Sequence, residues 1–254
     1  MIAYLGGAAG LLAGSLGALV RSTGVEESLV AGTARQVDRL VGLSWGVVAL
    51  VHIGMGSFLA MQAYFGATFV DGIGPVVGVG LIRNLAPLLA GFLQVILVAG
   101  LYVADLQGRP ATATHRHEVA VRVLGAMVAG PLLAAWGSLV GVATGWLVGR
   151  NMMGVSEPMF FDLFLEMLWA RDVVGLVVKG VLFGGVGAVL ACQEATRPTR
   201  PFEPPGGVAA VSRSAGRVAF LGLAAILTVN AAWFVFVYHA GPAFGPTLLV
   251  PPGQ

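Results

Sequence analysis

The sequence predicts an all-α integral membrane protein, with about five transmembrane helices and an N-terminal helix lying in the membrane plane. Three observations lead there. Of 254 residues, 57% are hydrophobic and only 10% charged, whereas a soluble domain carries about 25% charge; so little charge cannot cover a surface that faces water. The mean hydropathy is +0.88, and the apolar residues run continuously instead of alternating with polar ones, which excludes the strands of a membrane β-barrel. The chain also holds 38 glycines, a usage that suits helices packed closely in lipid.

Taken in order, residues 1–40 form an N-terminal apolar or interfacial segment. Met1 to Val20 is long enough to cross a bilayer but is built largely of Gly and Ala, and no charge precedes it as a signal peptide would require. An in-plane helix and a sixth span both leave Arg21 on the inner side, and the in-plane helix is favoured. A span needs about 20 apolar residues. Five windows qualify within a transmembrane domain at 41–240, at about 41–65, 76–103, 123–149, 173–193 and 218–238. The second carries Arg83, Asn84 and Pro87 inside its apolar run, so a bend or an unwound turn is expected there. Residues 241–254 form a short uncharged tail on the outer side.

Orientation follows from the arginines, which collect in short cytoplasmic segments. Arg21, Arg35 and Arg39, then Arg109, Arg116 and Arg122, then Arg197, Arg200, Arg213 and Arg217 all fall on one side. The other side holds Asp71 and a 150–172 loop whose Glu157, Asp162, Glu166 and Asp172 outnumber Arg150 and Arg171. Scattered in this way, the basic residues orient the chain and do not make a nucleic-acid surface, despite a pI near 9.0. Two polar stretches on the arginine side, 105–118 and the proline-rich 195–210, are expected to be cytoplasmic loops.

Few residues stand out chemically. Gly137, Gly141, Gly145 and Gly149 recur every fourth residue and form a small-residue stripe, for packing within the subunit first and dimerisation second; Gly180 and Gly184 repeat the pattern. Arg83 and Lys179 are ionisable groups within spans, each costing roughly 2.5–3.5 kcal/mol at the bilayer centre. Either they snorkel to the outer head groups, or they face a cavity and meet an anionic group such as a lipid phosphate. His52 is expected to be a packing histidine. His115 and His117 are too few and too close for a metal site, so no metal is expected. Glu157, Asp162 and Glu166 form a solvated face, and the lone Cys192 packs. No Walker-type loop, GxSxG or HExxH motif is present, so no catalytic residue is assigned and the chain is not expected to be an enzyme.

Residues 72–93 read GIGPVVGVGLIRNLAPLLAGFL, and this resembles the signature helix of the MlaE/YrbE permease family, in which Leu-Arg-Glu-Leu-Gly-Pro follows a small-residue stretch. Here that core is Leu81, Ile82, Arg83, Asn84, Leu85, Ala86 and Pro87. The Met61-Gln62 pair, the PLLAAWGSLVGVATGWLVG helix, the DVVGLVVKGVLFGGVGAVLACQEA helix and residues 207–238 follow in the family's order, so the resemblance covers roughly 30–240. It implies a permease subunit of an ABC importer or exporter that moves phospholipid or another hydrophobic molecule in a bacterial inner membrane. The subunit would pair with a second permease copy, as a homo- or heterodimer, with an ABC ATPase beneath and an MCE-domain protein on the outer side. ATP would be bound by the ATPase subunit and no cofactor by this chain.

By the same resemblance Gln62, Arg83, Asn84, Pro87 and Lys179 are candidates for the substrate cavity and its bend. Arg109, His115, Arg116, His117 and Glu118 are candidates for the ATPase-facing loop. The sequence departs from the family pattern at Asn84, where the family has Glu, at Ala86, where it has Gly, and in 104–122, where the usual coupling motif is not recognisable. That last departure sustains a rival expectation, a structural or assembly protein that keeps the permease fold without ATPase coupling. A secondary transporter would call for inverted repeats and mid-membrane acids, which are not seen.

Overall fold

A computed structural model describes residues 2–21, 26–66, 72–107, 113–196 and 207–239. All regular elements among them are helices: α1 (Ile2–Arg21), α2 (Glu26–Gly66), α3 (Ile73–Gly80), a π-helical turn (Leu81–Leu85), α4 (Ala86–Leu106), α5 (Ala113–Met153), α6 (Glu157–Met167), α7 (Ala170–Ala195), α8 (Val208–Trp233) and a second π-helical segment (Phe234–His239). Arg109, Asp71, the prolines of the 195–210 stretch and the 241–254 tail lie outside the described residues.

The five expected spans fall within five helical stretches long and apolar enough to cross a membrane: Leu29–Phe65, Ile73–Leu106, His117–Met153, Ala170–Ala195 and Val208–Tyr238. Several run well past their apolar windows. α2 and α5 have 41 residues each, about twice what a crossing needs. The extension of α2 has a reason in its periodicity. Leu29, Gly32, Gln36 and Leu40 recur at helical spacing; Leu29 packs with Ala120 and Leu124, Gly32 lies against Val121, and Gly125 lies against Gln36. The 105–118 loop is corrected accordingly: α4 continues to Leu106 and α5 begins at Ala113. The 150–172 loop is corrected too, because α5 ends at Met153 and α6 intervenes. Gly154, at φ 66°, stops α5 in the left-handed conformation that glycine adopts without penalty. Ser156 then caps α6 by accepting a hydrogen bond from the Met159 N–H at 3.4 Å.

The chain divides into two compact units, to each of which α2, α4, α5, α7 and α8 contribute. In the first (1–44, 91–130 and 181–228), Tyr102, Val103 and Leu106 of α4 pack with Val119, Val123 and Ala126 of α5 and with Ala188, Ala191 and Cys192 of α7. Cys192 is fully buried there, as a packing residue. A side chain on Gly184 would run into the Ala126 carbonyl, to which Gln94 also donates at 2.7 Å. At the charged end of this unit Arg39 meets Asp105 at 2.9 Å, Arg122 lies 3.6 Å from the same carboxylate, and Arg217 binds Glu194 at 2.6 Å. The expected grouping of the 20–40 and 104–122 segments at one end thus appears as direct ion pairs.

The second unit (45–90, 131–180 and 229–254) is built on the glycine stripe. Gly137 lies against the His52 ring, Gly141 against Leu81, Gly145 against Val77 and Gly149 against Ile73. Opposite them Gly56 meets the Gly141 backbone so closely that a Cβ there would collide with its carbonyl. The stripe therefore packs within the subunit. His52 is completely buried, its Nδ1 donating to the Val48 carbonyl at 2.7 Å, as expected of a packing histidine. α6 covers α3, with Gly74 against the Phe160 backbone and Gly78 against the Phe164 ring.

Candidate functional site

The irregularity expected near Arg83 lies where the sequence places it, as a π-helical turn and not as an unwound segment. Its Ala86 N–H reaches back five residues to the Leu81 carbonyl. Pro87, in the next turn, has no N–H, so it cannot make the bond that an α-helix would direct to the carbonyl of residue 83. Lys179 of α7 supplies a donor instead: its Nζ lies 2.7 Å from the Arg83 carbonyl oxygen.

The Arg83 side chain is held by the same helix. Its Nε and Nη2 donate to the two oxygens of Asp172 at 2.9 and 3.0 Å, a bidentate pair. Asp172 is completely buried and saturated with donors. Besides Arg83 it accepts from the Tyr238 hydroxyl and, at 3.0 Å, from the Trp169 N–H. Four donors thus meet the roughly four lone-pair positions of a carboxylate, which is the condition for burying one. The Trp169 bond also has local logic. Asp172 is the third residue of α7, where a carboxylate satisfies the free N–H of the capping position and lies favourably in the helix dipole.

Aromatic rings from the last span, together with Trp169 ahead of α7, close the cluster. The Arg83 guanidinium lies 5.2 Å from the Tyr238 ring centre, and Arg171 is placed 4.6 Å from Tyr238 and 3.6 Å from Trp169. Lys179 sits 4.7 Å from the Phe234 ring and 5.9 Å from Trp233. At the residue after Arg83, Asn230 of α8 donates to Asn84 at 2.9 Å. A neutral amide pair thus stands at the position where the family pattern has a carboxylate. Three buried polar atoms border the cluster without a hydrogen-bond partner: Asn230 Oδ1, Trp233 Nε1 and Arg171 Nε.

Of the sequence-derived candidates, Arg83, Asn84, Pro87 and Lys179 therefore converge. Gln62 is exposed on α2 and no hydrogen bond among the described residues joins it to them. Snorkelling is excluded for Lys179, whose exposure is 0%. Asp172, placed by composition in the outer-side 150–172 loop, is instead the buried centre of the site, and the sequence reading does not single out Asn230 or Tyr238. The capping position of Asp172 and the lone amide in the last apolar run were the available signals. In the other candidate group, Arg109 is outside the described residues. His115 and Arg116 belong to the first turn of α5, and Glu118 pairs with Arg122 at 3.4 Å one turn on; these residues are helical, which corrects their assignment to a loop.

Residues 33–236 match the family described as Permease MlaE, a range that contains every residue of the cluster except Tyr238. Relatives include a probable ABC transporter permease protein of Rickettsia typhi, 28% identical over 58% of this chain, and one of Rickettsia prowazekii, 27% identical over the same share. The chain spans 62% of the length of each of these two relatives. A probable ABC transporter permease protein of Synechocystis is 24% identical over 81% of this chain and 82% of its own length. A match extending from the second turn of α2 into the π-helical segment that follows α8 leaves one assignment: the chain belongs to the MlaE permease family.

Proposed function

We propose that the chain is the transmembrane subunit of an ABC transporter that moves phospholipid or another hydrophobic substrate in a bacterial inner membrane, with ATP hydrolysis on a separate subunit. The observation that carries this reading is the family match over 33–236, supported by relatives named as probable ABC transporter permeases. In this reading two permease copies enclose a cavity lined by the first, second and fifth spans, and the cavity opens alternately to either side. Gln62, Arg83, Asn84 and Pro87 form the cavity wall and its bend, with Lys179 behind them. The first and fifth spans suit such a role: 28% and 17% of their most apolar stretches are buried within the chain, against 56–61% for the other three. Their remaining apolar faces are free for lipid or a second copy.

The arginine-rich ends face the cytosol, where the ATPase docks near α5's first turns, and an MCE-domain protein meets the opposite side. A second reading, a structural protein with this fold and no ATPase, draws on the missing coupling motif in 104–122. Native mass spectrometry of the complex purified gently from its own membranes separates the two. A stoichiometric ATPase and MCE-type protein with bound lipid is the expected result. Recovery of the chain alone, under conditions that keep related complexes intact, would replace the first reading with the second.

A further inference from the structure

Arg83 is held at both ends by one helix. Asp172 and Lys179 lie seven residues, or two turns, apart on α7 and therefore on one face. Asp172 takes the guanidinium of Arg83, and Lys179 takes its main-chain carbonyl. That carbonyl is the one whose α-helical donor Pro87 removes. A peptide carbonyl left without a donor inside a bilayer has no water to replace it, so proline at 87 creates a need at a definite atom, and the chain's single lysine meets it. The rest of the ammonium faces the Phe234 and Trp233 rings, and at 0% exposure it presents no surface to a ligand.

We propose that Lys179 is a positioning residue: it replaces the missing Pro87 N–H, holds the π-helical turn of the second span in register, and so delivers the Arg83 guanidinium to Asp172. Pro87 and Lys179 form one unit, in which the lysine is required because the proline is there. The inference is independent of what the protein transports, since it concerns only how the second span is held by α7. It also separates two roles that charge alone would merge. Arg83, whose side chain is 31% exposed, remains accessible, whereas Lys179 acts through the backbone.

The test is a double-mutant cycle on the full-length protein in detergent, with thermal unfolding and hydrogen–deuterium exchange of residues 81–90 as readouts. Lys179→Met keeps the length of the side chain and removes its donors. It is expected to lower the unfolding midpoint by several degrees and to speed exchange in the π-helical turn. Pro87→Ala restores an N–H opposite the Arg83 carbonyl and should change the midpoint little. Combined, Pro87→Ala/Lys179→Met should recover more than half of what Lys179→Met loses, because the carbonyl regains a donor. Lys179→Arg, which keeps a donor, should stay close to the native protein. If Lys179→Met cannot be purified, recovery of the double variant in Pro87→Ala yield carries the same meaning. Losses that simply add in the double variant, a double variant that also fails to purify, or a Lys179→Met protein as stable as the native one would each overturn the proposal. A lysine that served an anionic ligand would gain nothing from removal of the proline.

Discussion

Two polar clusters, one in each unit, use the same side-chain chemistry at different depths. In the first unit Asp105 joins Arg39 and Arg122, with side chains 29%, 41% and 12% exposed. In the second unit Asp172 joins Arg83, and its side chain is 0% exposed. Exposed pairs of the first kind contribute about 0.2–1 kcal/mol each, because water and salt compete for both charges. A buried pair gains more from attraction but pays heavily for desolvation, so its net contribution to stability is small while the loss of one partner is severe. The Asp105 cluster can vary in geometry without consequence, whereas the Asp172 cluster specifies a single arrangement of the second span, the start of α7 and the end of α8.

The sharpest way to break that comparison is Asp172→Asn, which leaves Arg83 without a counter-charge and removes two acceptor positions. A loss of about 3–5 kcal/mol is expected, measured by chemical unfolding in detergent; a loss no larger than that of Asp105→Asn would show that burial does not separate the clusters. Packing elsewhere in the second unit should respond next. Gly56→Ala places a methyl group against the Gly141 carbonyl, while Gly54→Ala meets nothing within 4 Å. The first should cost about 1–3 kcal/mol by overpacking, and the unfolding free energies of the two variants in detergent should differ by that margin. Smallest is Asp105→Asn, at about 1 kcal/mol or less. Raising the ionic strength should shrink the difference between this variant and the native protein, while leaving the Asp172→Asn difference largely intact.

What was legible in the sequence follows from the same contrast. Five spans stand out because crossing a bilayer demands length and hydropathy, and both are local properties. Arg83, Asn84 and Lys179 stand out because polar groups are rare inside such runs. The glycine stripe is visible because its spacing is helical. Asp172 was hidden among Glu157, Asp162 and Glu166, since composition cannot tell which acid of a polar stretch folds inward; only its third-residue position in α7 distinguishes it. The full lengths of α2 and α5 escaped an apolar window for a related reason. The extension of α2 is held by one narrow face, Leu29 to Leu40, while Arg35, Asp38 and Arg39 are exposed on the others. Asn230 and Tyr238 acquire meaning only through partners far away in sequence, 146 residues for Asn84 and 66 for Asp172.

Lys179 has one more consequence, in the reactivity of the folded chain. As the single lysine, wholly enclosed beneath the second span, it is the only side-chain primary amine and it is shielded. Amine-selective reagents should therefore leave the native side chains unmodified. Acylation of Lys179 then becomes a timer for the opening of α7 away from the π-helical turn, with a rate that reports how often the two separate.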